Sequence, residues 1–115
     1  MSDPHAVTTL DRTPRLHTLV LPVSGRQVSL NRGDVLEIQM RQIVDSGSSW
    51  AIACTPESVE FERDEHFPGQ RGSFTTRLFR FRAIDAGAGL LRLAIGRPGM
   101  AEPLGQVDLH LTVFA

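Results

Sequence analysis

From Leu16 onward, apolar residues recur at every second position, and the alternation is broken at short intervals by Gly, Pro, Asn and Asp. Period two is the side-chain period of a strand and closely spaced breakers mark turns, so the pattern predicts an all-β chain. Leu16 to Leu21 is the first predicted strand, ended near Pro22 and Ser24-Gly25, and Gln27 to Leu30 is a short second one. Asn31-Arg32-Gly33-Asp34 reads as a turn, because Asn and Gly accept the positive φ of tight turns. Leu36, Ile38 and Met40 then face one way and Glu37 and Gln39 the other, a half-buried strand.

Asp45-Ser46-Gly47-Ser48-Ser49 buries little and bonds readily to its own backbone, which predicts an exposed loop. Beyond it Trp50, Ile52 and Cys54 alternate with Ala51 and Ala53, placing the tryptophan and the thiol together on an inward face. Val59 and Phe61 alternate with glutamates in a short edge-like strand, and Arg63 to Gly72 is expected to be irregular. Arg77 to Ala83 is the clearest strand, with Phe79, Phe81 and Ala83 on its core face and Leu78, Arg80 and Arg82 opposite. Gly87 to Gly89 turns into Leu91, Leu93 and Ile95; Arg97 to Met100 opens another loop; Val107, Leu109, Leu111 and Val113 form the last strand. Seven or so short strands over about 100 residues, with no helical period, fit an all-β, two-sheet sandwich. Residues 1–15, with two prolines and mixed polar residues, read as a flexible leader to a single domain over 16–115.

Composition narrows the function classes. The 115 residues suffice for one core without staples, and a single cysteine cannot close an internal disulfide. A net charge of -1, from 12 basic residues that are all arginine and 13 acidic ones, argues against phosphate backbones and anionic lipid as partners. No nucleic acid and no membrane are expected, nor is a secretion signal, which makes the cytoplasm and a monomer the default expectations.

Candidate chemistry is sparse. The histidines stand at 5, 17, 66 and 110, and the one local cluster, Asp64-Glu65-His66, reads as a solvated charged loop, so no metal is expected. Cys54 reads as a structural thiol. No serine sits in a Gly-x-Ser-x-Gly elbow, and Gly87-Ala88-Gly89 lacks the third glycine and following helix of a dinucleotide loop, so neither a catalytic set nor a cofactor is expected. The alternation of Phe79 and Phe81 with Arg80 and Arg82 puts the rings in the core and those arginines in solvent, unlike a nucleic-acid platform. What remains are three Gly-containing loops, 45–49, 69–72 and 97–100.

These loops and the strands between them, from about Leu19 to Phe114, resemble the chagasin family of inhibitors of papain-like cysteine proteases. Gly33 to Met40 looks like that family's strand leading into its first loop, and Ser46-Gly47 followed by Trp50 falls where the family has Thr-Gly and then Trp. Gly69-Gln70-Arg71-Gly72 resembles the second loop's Gly-x-Gly-Gly, and Leu93 to Pro98 resembles the strand entering the third, Arg-Pro-Trp. The order and spacing of all three agree. Three departures stand out: Ile43-Val44-Asp45-Ser46-Gly47 replaces Asn-Pro-Thr-Thr-Gly, Arg71 replaces a glycine, and Gly99 replaces the tryptophan.

The resemblance implies an immunoglobulin-like β-sandwich of about seven to eight strands, a non-enzymatic protein whose three end loops straddle a protease cleft. Asp45, Ser46, Gly47 and Ser48 would block it; Gly69, Gln70, Arg71 and Gly72, together with Arg97, Pro98, Gly99 and Met100, would grip its walls. The alternative is a non-inhibitory immunoglobulin-like module that keeps the sandwich and uses its loops or a sheet edge for another protein partner.

Overall fold

The computed structural model describes residues 13–43, 46–68 and 74–115. The described residues form eight strands: β1 (Leu16–Val20), β2 (Arg26–Asn31), β3 (Val35–Ile43), β4 (Ser49–Cys54), β5 (Val59–Pro68), β6 (Phe74–Ala83), β7 (Gly87–Gly96) and β8 (Gly105–Phe114). They assemble into two four-stranded sheets, β1-β3-β6-β5 and β2-β8-β7-β4. The chain is an all-β, immunoglobulin-like sandwich. Within each sheet one pairing is parallel, β1 with β3 and β2 with β8, and the remaining ladders are antiparallel.

The alternation places the core where the pattern puts it. Leu36, Ile38 and Met40 of β3 and Phe79 and Phe81 of β6 meet Leu91, Leu93, Leu109 and Leu111 of the facing sheet in one buried cluster. A fully buried aromatic at its centre contributes several kcal/mol, so Phe79→Ala should cost about 3–5 kcal/mol.

Asp34 ties the end opposite the three loops. Its carboxylate accepts from the backbone N–H of Arg15 (2.9 Å) and Asn31 (2.9 Å) and lies 2.9 Å from Nε2 of His17. The predicted turn is present, with Gly33 at φ 94 and the Asp34 N–H donating to the Asn31 carbonyl. Of the predicted leader, residues 1–12 lie outside the described residues, while Arg15 is held at both backbone groups, donating to Asp34 and accepting from the Val35 N–H.

Two local expectations are corrected. Cys54 is exposed, not buried beside Trp50. The β4–β7 register shifts between Ile52 and Cys54, so Ala53 is an extra residue and the parity that would turn the thiol inward is lost. The segment beyond Arg63 is not irregular: β5 runs on to Pro68 in register with β6, after a bulge between Phe61 and Arg63. Asp64-Glu65-His66 therefore lies on a strand. Arg80 and Arg82 lie on the outer face as the alternation predicts and are engaged there, Arg80 pairing with Glu37 opposite it and Arg82 donating to Glu62 at 2.8 Å.

Candidate functional site

Strand register brings the three predicted loops to one end. Ile43, at the end of β3, is opposite Phe74, and Pro68, at the end of β5, is opposite Thr75, so the first and second loops leave the same end of one sheet. In the other sheet Ser49, the start of β4, faces Gly96, the end of β7, which puts the first and third loops side by side. Asp45, Gly69, Gln70, Arg71 and Gly72 lie outside the described residues; the strand ends that carry them are placed.

The first loop has its own bracing. The Ser46 hydroxyl donates to the Ile43 carbonyl at 3.0 Å and accepts the Ser48 N–H at 3.1 Å, a local bond pattern typical of serine in turns. Gly47 has φ 76, a left-handed conformation in which glycine carries no Cβ penalty. Ser48 meets the third loop, since Arg97 Nε donates to Ser48 Oγ at 3.4 Å. Arg97, Pro98, Gly99 and Met100 are exposed. The Met100 N–H donates to the Arg97 carbonyl at 3.1 Å with Gly99 at φ 82, the arrangement of a type II turn with Pro98 and Gly99 at its centre. Gly99 is thus the residue the turn's backbone favours.

Below the loops lies a side-chain cluster that the sequence reading did not single out. Arg77 of β6 is 5% exposed. Its Nη2 and Nε donate to the Asp64 carboxylate, the shortest contact being 2.7 Å, while Nη1 donates to Gln42 Oε1 (3.0 Å) and to the Trp50 carbonyl (2.9 Å). Gln42 Oε1 also accepts the Trp50 N–H at 3.0 Å, and the Trp50 indole N–H donates to the Arg41 carbonyl at 2.9 Å. The guanidinium carbon sits 4.8 Å from the centre of the Phe79 ring. Arg77 shares its parity with Phe79 and Phe81, and that was the available signal: an arginine on a core face needs several acceptors.

Surfaces flank this end. A groove of about 570 Å³ runs along the outer side of β4 and β7, between Ala51 and Ala94 on one side and Pro98, Met100 and Pro103 of the third loop on the other. On the other sheet, Ile43 and Phe67 are exposed, and the Arg41 guanidinium lies 4.6 Å from the centre of the Phe74 ring. A second cavity, of about 410 Å³, lies at the opposite end and includes Cys54, Ser58 and Asp85. Among the described residues no group of three or more His, Cys, Asp or Glu is arranged to hold a metal ion.

No family model matches the chain and no curated protein matches it in sequence. Solved structures do match. The cysteine protease inhibitor EhICP2 from Entamoeba histolytica superposes with a TM-score of 0.80 at 18% identity, over 90% of this chain and 99% of that one. Amebosin gives 0.66 at 22% identity over 89% and 100%. PbICP-C, solved in complex with falcipain-2, gives 0.68 at 13% identity over 85% and 99%. The chain spans nearly the full length of each, so the likeness to the chagasin family read from short loop motifs is a likeness of the whole fold.

Proposed function

We propose that this protein inhibits papain-like cysteine proteases by occluding their cleft with the three loops at one end of the sandwich, without performing chemistry itself. The observation that carries the reading is the convergence of those loops, by strand register, on one end of a fold shared with cysteine protease inhibitors. In this reading Asp45, Ser46, Gly47 and Ser48 enter over the catalytic residues. Gly69 to Gly72 and Arg97 to Met100 contact the walls on either side. Asp45 and the second loop enter from their place in the chain. Ser46 and Gly47 suit the central role: the hydroxyl is already engaged within the loop, and the glycine presents backbone without a side chain to exclude it from a narrow cleft. A loop held in its docked shape before encounter loses little conformational entropy on binding.

The experiment is a titration of the purified protein into papain and a panel of bacterial and protozoan relatives, read as residual peptidase activity. Stoichiometric loss of activity for at least one protease is expected, and replacing Ser46 and Gly47 by bulky charged residues should abolish it. Unchanged activity across the panel at micromolar excess would overturn the reading and leave the interaction-module alternative.

A further inference from the structure

The first loop joins strands of different sheets. β3 pairs with β1 and β6, and β4 pairs with β7, so no ladder joins Ile43 to Ser49 across the loop's stem. A loop on an unladdered stem has two independently moving feet, the opposite of what preorganised docking needs.

Side chains close the gap. Each stem foot is gripped by the same few groups: the Trp50 N–H binds Gln42 Oε1, the Trp50 indole N–H binds the Arg41 carbonyl, and Arg77 Nη1 bonds both Gln42 Oε1 and the Trp50 carbonyl. Arg41 and Gln42 are the two residues before Ile43 at the end of β3, and Trp50 follows Ser49 at the start of β4. Both edge-facing polar groups of the Trp50 backbone are thus satisfied across the sandwich, by side chains of the other sheet. The Asp64 carboxylate takes the Nη2 and Nε donors of Arg77, and Nη1, at this buried position, needs acceptors of its own. The two Nη1 bonds both go to residues flanking the first loop. The ion pair itself is a modest source of stability, because Asp64 is exposed and solvent screens its attraction to Arg77. What this arrangement adds is geometry.

We propose that Arg77, acting through Gln42, is a positioning residue that fixes the span and orientation of the first loop's stem and so presets the loop for docking. Its effect on binding rests on the inhibitor reading, but its effect on loop order does not. Lysine cannot replace it: an ammonium is a point donor and lacks the planar fork that serves Asp64 on one side and Gln42 with Trp50 on the other.

The test compares wild type, Arg77→Met, Arg77→Lys and Gln42→Met with Val113→Ala, a core truncation at the far end of the sandwich. Amide and indole hydrogen exchange is measured at Ser48 and Trp50 and, as an internal reference, at Gly33; inhibition constants are measured on the most sensitive protease. Slow exchange of the Trp50 N–H in wild type is expected. In all three clamp variants exchange at Ser48 and Trp50 should rise about tenfold relative to Gly33, with inhibition weakened about tenfold through slower association. Val113→Ala should change neither ratio at a comparable loss of global stability. Gln42→Met leaves the Arg77–Asp64 pair in place, so it reports on the stem even if Arg77→Met does not fold. Rapid exchange of the Trp50 N–H in wild type, or clamp variants matching Val113→Ala, would overturn the proposal. A wild type that inhibits no protease would instead overturn the inhibitor reading, with the exchange data still deciding the role of Arg77.

Discussion

Arg77 and Trp50, 27 residues apart and in different sheets, are joined by a 2.9 Å hydrogen bond from the guanidinium to the tryptophan carbonyl. The half-buried indole completes the join with its own N–H to the Arg41 carbonyl. Trp50→Phe keeps the backbone bonds and most of the apolar contact but removes that donor. It should cost about 1 kcal/mol in urea denaturation, the ordinary net value of one such bond. A cost above about 3 kcal/mol would mean that the indole is chiefly a packing element.

Asp34 is expected to make the fold's stability depend on acid. Burial alone would raise its carboxyl, but the backbone donors of Arg15 and Asn31, with His17 beside them, outweigh burial and hold it below the usual aspartate range. A carboxyl lowered in the folded state contributes stability that is fully present above the unfolded value of about 3.9 and is lost as pH falls through the lower folded value. Asp108 is lowered in the same direction, by its bonds from Arg92. Denaturation midpoints measured from pH 6 down to pH 2 should therefore fall less steeply in Asp34→Asn than in wild type below about pH 4. Parallel curves would refute the assignment.

Restoring the aromatic at the tip of the third loop should depend on where it is placed. Gly99 has φ 82 with open space around it, so Gly99→Trp meets no clash but strains the turn, at about 1 kcal/mol. Met100, exposed and next in the chain, needs no such conformation. Met100→Trp should tighten inhibition about tenfold, in the range of an aromatic anchor, and more than Gly99→Trp does. Equal gains from the two, with equal denaturation midpoints, would contradict the turn assignment.

The exposed thiol gives a direct check on the bulge in β4. Cys54 should react with Ellman's reagent in the native protein at a rate near that of a free thiol, and Cys54→Ala should shift stability by less than about 0.5 kcal/mol. Reaction only after denaturant is added would restore the inward-facing thiol that simple alternation predicts.

That thiol shows why some of the fold was legible in the sequence and some was not. Period two located every strand and the core faces of β3, β6, β7 and β8, because burial of one face is what alternation encodes. It failed one residue past Ile52, where a bulge reverses parity, and a bulge has no composition signal of its own among Ala and Cys. It also failed along β5, whose glutamates, aspartate and histidine look like a loop when read alone. There the ladder to β6 and the Arg77–Asp64 pair hold a polar sequence extended, through partners distant in the chain. For the site, loop order and spacing were legible. Gln42 and Arg77 were less so: parity marked Arg77 as a core-face arginine in need of acceptors, but Asp64 and Gln42 of its own sheet and Trp50 of the facing one are identified only once the strands assemble.

The first loop's crossing from one sheet to the other makes the thickness of the sandwich a ruler for that loop. Packed sheets stand about 10 Å apart, a distance set by the side chains between them, here Met40 and Leu93 toward the loop end. A larger or smaller residue at one of those buried positions would widen or narrow the span between the two feet of that loop without altering any residue of the loop itself. If the proposed inhibition holds, selectivity among proteases is tunable from the interior of this protein as well as from its surface.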